Sequence, residues 1–262
     1  MARYVTLHLH NIAAGREADY AAWFEEEHRP RLTGLEGFLS ADRFEIAPIQ
    51  IMPDIDQPWR FLSFYEFDYQ VPDRDIPKLG RLLEGPRCAG LIDDGNESER
   101  LYTYNMYSDW HVGPNWQQGK PLSGLFIIPA NLVQGREEDY HRWYDEVHIP
   151  EVSRVPGFVG MKRGRLAGTQ CNPRRYCPGG ELVVCAHQTD NLLFSVKDFS
   201  ARARGVSPSG VAMEPRSTAG SFARTVHFFT KISGEIWDGG IAYAGDFSAY
   251  PENWERQPRQ EA

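Results

Sequence analysis

The chain has 262 residues and a formal net charge of −8 at pH 7, enough length for two ordinary domains and the wrong sign for a nucleic-acid partner, whose phosphates need a basic surface. Hydrophobic residues make up 41% and aromatic residues 13%, which can fill two cores without metals or disulfides. No apolar run approaches the ~20 residues needed to span a bilayer. The opening MARYVTLHLHNI moves straight into a strand pattern with no signal-peptide layout, so no membrane partner and a cytoplasmic location are expected.

Residues 3–12 alternate. Val5, Leu7 and Leu9 share one face and Tyr4, Thr6, His8 and His10 the other, as in a strand. Two histidines on one face fit an interface or a polar pocket. The next stretch, Gly15 to Phe38, occurs twice. Aligned at a gap-free offset of 120, residues 11–38 and 131–158 share Asn11, Gly15, Arg16, Glu17, Asp19, Tyr20, Trp23, Glu26, His28, Pro30, Gly37 and Phe38 with their partners. The chain is a tandem duplication, and one module must be explained in two contexts.

Each copy predicts a helix. Tyr20, Trp23, Phe24 and Glu27, and Tyr140, Trp143, Tyr144 and Val147, fall at i, i+3, i+4 and i+7. Early acidic residues, Glu17 and Asp19, suit the positive end of the helix dipole. In a regular helix His28 and His148 would project about 80° from the tyrosines, on the flank of the apolar face. Pro30 and Pro150 have no N–H to donate, which predicts a bend or a new turn with open carbonyls that favour a protonated histidine. A half-buried histidine satisfying one freed carbonyl is the competing reading. The glycines at 37 and 157 are expected in a turn, each followed by a core phenylalanine.

Second strands are expected over 38–46 and 158–166, with Arg43 and Arg163 again in register. Each arginine could anchor an anionic substrate group or pair with helix glutamates. Pro- and Gly-rich stretches at 47–58 and 167–180 read as long loops, either lids or extended hairpins. Third strands (59–68, 181–190), second helices (76–83, 191–203) and fourth strands (101–107, 225–232) complete each half. In the second half, the strand from Gly124 to Asn131 is apolar on both faces, which predicts burial on both. Cys88, Cys171, Cys177 and Cys185 lack zinc spacing and are expected as reduced structural thiols.

The pattern Trp-x-x-x-x-His-x-Pro followed by Pro-Gly-Phe, here WYDEVHIPEVSRVPGF, resembles the first helix of EthD-like proteins in the dimeric α+β barrel superfamily. The first copy departs from it at Glu36, where the second has Pro156. The resemblance implies an α+β chain of tandem ferredoxin-like βαββαβ modules forming an intrachain barrel pseudo-dimer. Module 1 would span 1–110, a linker 111–121, module 2 122–242 and a C-terminal arm 243–262.

Dinucleotide, P-loop, zincin and hydrolase motifs are missing from the sequence. Histidines, tyrosines, paired arginines and aromatic walls remain, which suit proton transfer on an organic substrate in an apolar pocket without a cofactor. Such a chain would be a lyase, decarboxylase, isomerase or cyclase acting on an aromatic or polyketide-like molecule. The alternatives are a non-catalytic binding protein and a haem protein with His187 or His227 as axial ligand. The candidate catalytic residues are His28, His148, His10 and His8. Tyr20, Trp23, Tyr140, Trp143, Asn11, Asn131, Arg43, Arg163 and Tyr65 are the candidate substrate-binding residues. The partner expected is a small aromatic substrate, with homo-oligomerisation left open.

Overall fold

Alternation along the first strand, β1 (Arg3–His10), decides which side of the sheet carries what. Its Val5, Leu7 and Leu9 join an apolar cluster drawn from both halves of the chain, while Tyr4 belongs to a second cluster under the first-half helices. The structure is a computed structural model that describes residues 3–51, 58–95, 99–172, 179–207, 211–222 and 227–232. The expected arm at 243–262, the side chain of His227 and the thiols of Cys88 and Cys177 lie outside the described residues.

The first half continues through α1 (Glu17–Trp23), a π turn (Phe24–His28), α2 (Arg29–Thr33), β2 (Phe38–Ile46), β3 (Phe61–Phe67), α3 (Pro72–Leu82), α4 (Glu84–Cys88) and β4 (Glu99–Met106). A short strand β5 (His111–Val112) precedes the second half: β6 (Gly124–Leu132), α5 (Glu137–Trp143), a π turn (Tyr144–His148), α6 (Ile149–Val152), β7 (Phe158–Leu166), β8 (Glu181–His187), α7 (Leu192–Ala203), β9 (Gly220–Phe222) and β10 (His227–Lys231). The segment expected as a bare linker therefore contributes a strand, β5, which pairs with β7.

All described pairings are antiparallel, and the strand order β2-β3-β1-β4-β7-β8-β6-β10 closes on itself because β10 also pairs with β2. The result is an α+β fold around a closed eight-stranded barrel, with β9 and β5 appended outside. Two short contacts join the halves: Tyr104–Met106 of β4 against β7, and Phe229–Lys231 of β10 against β2. The barrel interior is filled by side chains, including Leu7, Leu9, Phe44, Phe64, Tyr104, Leu125, Ile127 and Val184. Leu125 to Ile128 are all buried, as expected: alternate residues face the barrel interior or the second-half helices.

Ion pairs cross between the halves. Lys162 of β7 pairs with Glu66 of β3, and Lys231 Nζ lies 3.2 Å from Asp42 of β2. The long hairpin loops also cross. Ala47, Ile49 and Ile51 pack into the helix–sheet core of the second half, while Ala167 and Cys171 pack into that of the first. Gln170 bonds both backbone groups of Thr103 at 2.8 Å, fixing this exchange at the edge of β4.

The Gly-Phe turns stand as expected. Gly37 and Gly157 have φ of +77° and +89°, and their carbonyls accept from Asp68 and Gln188 at 2.7 and 3.0 Å. A Cβ at Gly37 would also collide with the Asp68 carbonyl, whereas Gly15, at φ +78°, has open space around it. Gly37→Ala should therefore cost about 2–3 kcal/mol in urea unfolding and Gly15→Ala only about 1. Equal losses would mean that the close approach at Gly37 is not limiting.

Candidate functional site

Pro30 sets the local geometry. With no proline N–H to continue the ladder, the amide of Arg29 reaches back five residues to the Phe24 carbonyl, and Ile149 does the same to Tyr144. The helix widens into a π turn, and a new turn, α2 or α6, begins just before each proline, the second of the two outcomes the proline pattern offered. In a regular helix, residues i and i+5 stand about 140° apart. Here Trp23 stacks on His28 with ring centroids 4.6 Å apart, and Trp143 on His148 at 4.4 Å.

The wide turn carries His28 inward. It is buried, its Nε2 lies 3.1 Å from Tyr65 Oη, and its Nδ1 has no hydrogen-bond partner among the described residues. Burial, aided by the charges of His8, Arg29 and Arg31, pushes its pKa down to about 3. The expectation of a protonated histidine beside open carbonyls is thus reversed: desolvation outweighs any carbonyl field.

Beside it, the helix-facing side of β1 builds a polar cluster. His8 and His10 are both fully buried, not surface residues, and stack with centroids 4.3 Å apart. His8 Nε2 lies 2.7 Å from Glu99 Oε1, and Arg87 grips the same carboxylate through two nitrogens at 2.6 and 2.7 Å. Burial alone would raise the Glu99 pKa, but the bonds and charges of His8 and Arg87 hold it well below the usual carboxylate range.

His10 has a defined tautomer. Its Nδ1 lies 3.0 Å from the His8 carbonyl, which can only accept, so Nδ1 carries the hydrogen. Burial first and the His8 charge second push its pKa well below the ordinary value, leaving the ring neutral. Nε2 then holds a lone pair, with no hydrogen-bond partner among the described residues. A gap too narrow to admit a water molecule adjoins it, lined also by Tyr20, Arg43, Phe61 and Ser63. The Tyr20 ring sits 5.0 Å from that of His10, and burial keeps its phenol protonated.

The second half gives the internal comparison. His8 pairs with Ser63 across the strands where Ile128 pairs with Val183, and Thr6 faces Tyr65 where Phe126 faces Cys185. His10 corresponds to Ala130. The same sheet positions carry polar side chains in one half and apolar ones in the other. There Tyr140 and Tyr144 are core residues and His148 is half-buried against Trp143.

Other candidate residues are placed differently. The Asn11 side chain clamps the start of β3, donating to the Pro58 carbonyl at 2.7 Å and accepting from the Arg60 amide at 2.8 Å; Asn131 accepts from Gly180 in the same way. Arg43 lies 3.4 Å from Glu25, and Arg163 2.6 Å from Asp145, so both pair with π-turn carboxylates. Sequence reasoning missed Glu99, Arg87, Ser63 and Thr103. The signal for Glu99 was an acidic residue just ahead of the expected fourth strand at 101; β4 begins two residues earlier and brings it opposite His10.

His187 does not fit the role of a haem ligand. It is fully buried on β8, its ring centroid lies 4.0 Å from that of Phe158, and Phe158 itself stacks on Phe199 within the second-half core. Approach of a macrocycle to that imidazole would displace the core. Among the described residues no helix is long and apolar enough to cross a membrane.

No protein-family model matches this sequence, and no curated protein does. Solved structures match by shape. A provisionally assigned chlorite dismutase aligns with TM-score 0.51 at 11% identity, covering 89% of this chain and 96% of its own. Two provisionally assigned monooxygenases align at 9% identity. One, from Fusobacterium nucleatum, has TM-score 0.49 and covers 93% of this chain and 98% of its own; the other, from Lactobacillus acidophilus, has 0.48 with 88% and 94%. At this identity the first of these supports the α+β barrel fold and nothing about chemistry.

The His8 and Arg87 bonds to Glu99, together with the burial of His28, make the protein acid-sensitive. Both pKa values are depressed on folding, so the unfolded chain binds more protons as pH falls through about 6.5 for His28 and about 4.5 for Glu99. Stability should fall from pH 7 to pH 4, and His28→Gln should flatten the upper part of that decline. Glu99→Ala, which strands Arg87 and His8, should cost about 3–5 kcal/mol at pH 7. A pH-independent unfolding midpoint in the parent chain would contradict the burial account.

Proposed function

We propose that the chain is an enzyme that moves protons on a small aromatic or polyketide-like molecule, using the polar chamber between α1 and the sheet of the first half and no cofactor. The observation that carries this reading is the one-sided chemistry of the duplicated fold. The second half fills the equivalent sheet positions with Phe126, Ile128, Val183 and Cys185, so the fold stands without a histidine–carboxylate cluster there. Burying Glu99 with two partners is a stability cost that a hydrocarbon core avoids. Retaining it in one half is what a catalytic cluster requires.

The roles follow from the geometry. His10 Nε2 accepts a proton from a C–H or O–H acid of the substrate. The electron pair left behind moves onto a substrate oxygen, where Arg43 and the Tyr20 hydroxyl can stabilise the enolate or phenolate. The proton then returns from His10 to a different substrate atom, which completes an isomerisation. If His10 instead takes a carboxyl or hydroxyl proton, the adjacent C–C bond breaks, CO2 or a carbonyl fragment leaves, the bond's electrons form the enolate, and His10 returns the proton to that carbon. Glu99 and Arg87 act through His8 to position His10. The gap beside His10 is closed even to water, so binding of a ring requires Phe61 or Tyr20 to move aside.

We further propose that the barrel is a pseudo-dimer of ferredoxin-like modules, 1–110 and 122–242, akin to EthD-like proteins, with 111–121 joining them and 243–262 an appended arm. The repeated order β2-β3-β1-β4 and β7-β8-β6-β10 supports it.

The test is deuterium wash-in from D2O into a panel of enolisable phenolic ketones, followed by NMR. The parent protein should accelerate exchange for at least one compound. His10→Ala should lower the rate by roughly 10²-fold or more, and His28→Ala by less, with the folded fraction unchanged. His148→Ala should leave it unaltered. The reading fails if no compound exchanges, or if His10→Ala and His28→Ala both keep the parent rate.

A further inference from the structure

A second cavity lies outside the barrel, where the halves meet along β4 and β7. It has a volume of about 620 Å³, within the range of small-molecule pockets, and its wall is shared between the halves. Pro72, Ile76, Leu166 and Ala167 give it an apolar side, and Asn105, Tyr107, His141, Arg163 and Arg165 a polar one.

The polar side presents donors. Arg163 is almost fully buried, its guanidinium held between the rings of Tyr107 and Tyr144 at 5.3 and 5.2 Å. One terminal nitrogen binds Asp145 at 2.6 Å and the other lies 3.3 Å from His141 Nδ1. A guanidinium only donates, so His141 Nδ1 accepts and the neutral ring must carry its hydrogen on Nε2. Burial first and the Arg163 charge second lower the His141 pKa, which favours that neutral form. Arg163 Nε, buried in the wall, has no acceptor among the described residues. Arg165 binds Glu181 through Nε, and its side chain is 61% exposed. Asp145 and Asp73 also line the groove, Asp145 paired with Arg163 and Asp73 accepting from Thr169, and the neighbouring Glu181 is bound by Arg165 and Tyr107.

We infer that this groove binds a small organic carboxylate with a flat hydrophobic body. The carboxylate accepts from Arg165 and His141 Nε2, while the body lies along Leu166, Ala167 and Pro72. The site is separate from the His10 chamber and does not depend on its chemistry.

Titration calorimetry of the full chain with 2-naphthoate, and with its uncharged counterpart 2-naphthamide, tests this. One saturable site is expected for the naphthoate, weakened roughly tenfold in Arg165→Gln, whose exposed position spares the fold, and at least as much for the amide. His141→Phe should weaken naphthoate binding too, and His10→Ala should leave it unchanged. Equal affinity for acid and amide, unchanged binding in Arg165→Gln, or no saturable binding up to about 10 mM would overturn the assignment.

Discussion

A buried carboxylate organises the first half. Glu99 sits almost out of water at the head of β4, and it stays ionised only because Arg87 from α4 and His8 from β1 both bind it. Removing either partner would leave a charge in a low-dielectric site, so the three elements are locked in one arrangement. That lock fixes His8, His8 supplies the carbonyl that orients His10, and the His10 ring packs on Tyr20 of α1. A single electrostatic constraint therefore runs from a sheet edge to the helix that covers the sheet.

The duplicated half shows what the constraint is not needed for. Strand order and the π turn are the same there, yet hydrocarbon occupies the place of the polar cluster. Apolar burial and barrel closure hold the architecture in both halves. The polar cluster adds a defined tautomer and a fixed counter-charge, two properties that proton transfer uses and folding does not. The barrel interior is mostly apolar in both halves, with the Lys162–Glu66 and Lys231–Asp42 ion pairs set among its side chains, and the histidine cluster lies on the helix-facing side.

Much of this was written in local patterns. The 120-residue offset, the alternation of Val5, Leu7 and Leu9 against His8 and His10, the doubly apolar strand at Leu125 to Ile128 and the Gly37 and Gly157 turns each depend on near neighbours, and each appears in the fold where the pattern put it. The paired arginines took the ion-pair role that their glutamate and aspartate neighbours offered. What was not legible depends on distant contacts. Glu99 meets His8 across 91 residues, and Cys171 reaches Thr103 across 68. The exchange of hairpin loops between halves also has no local signal. Pro30 announced a break in the helix ladder, but whether a missing N–H yields a bend or a π turn is settled by packing, here of Trp23 on His28.

His10 is a neutral imidazole with its hydrogen on Nδ1 and a lone pair on Nε2. Long-range ¹H–¹⁵N correlation spectra of histidine-labelled protein, assigned with His10→Gln, read this directly between about pH 5 and pH 8. The account predicts that His10 keeps the neutral Nδ1–H pattern across that range. A doubly protonated ring at neutral pH, or a hydrogen on Nε2, would contradict it.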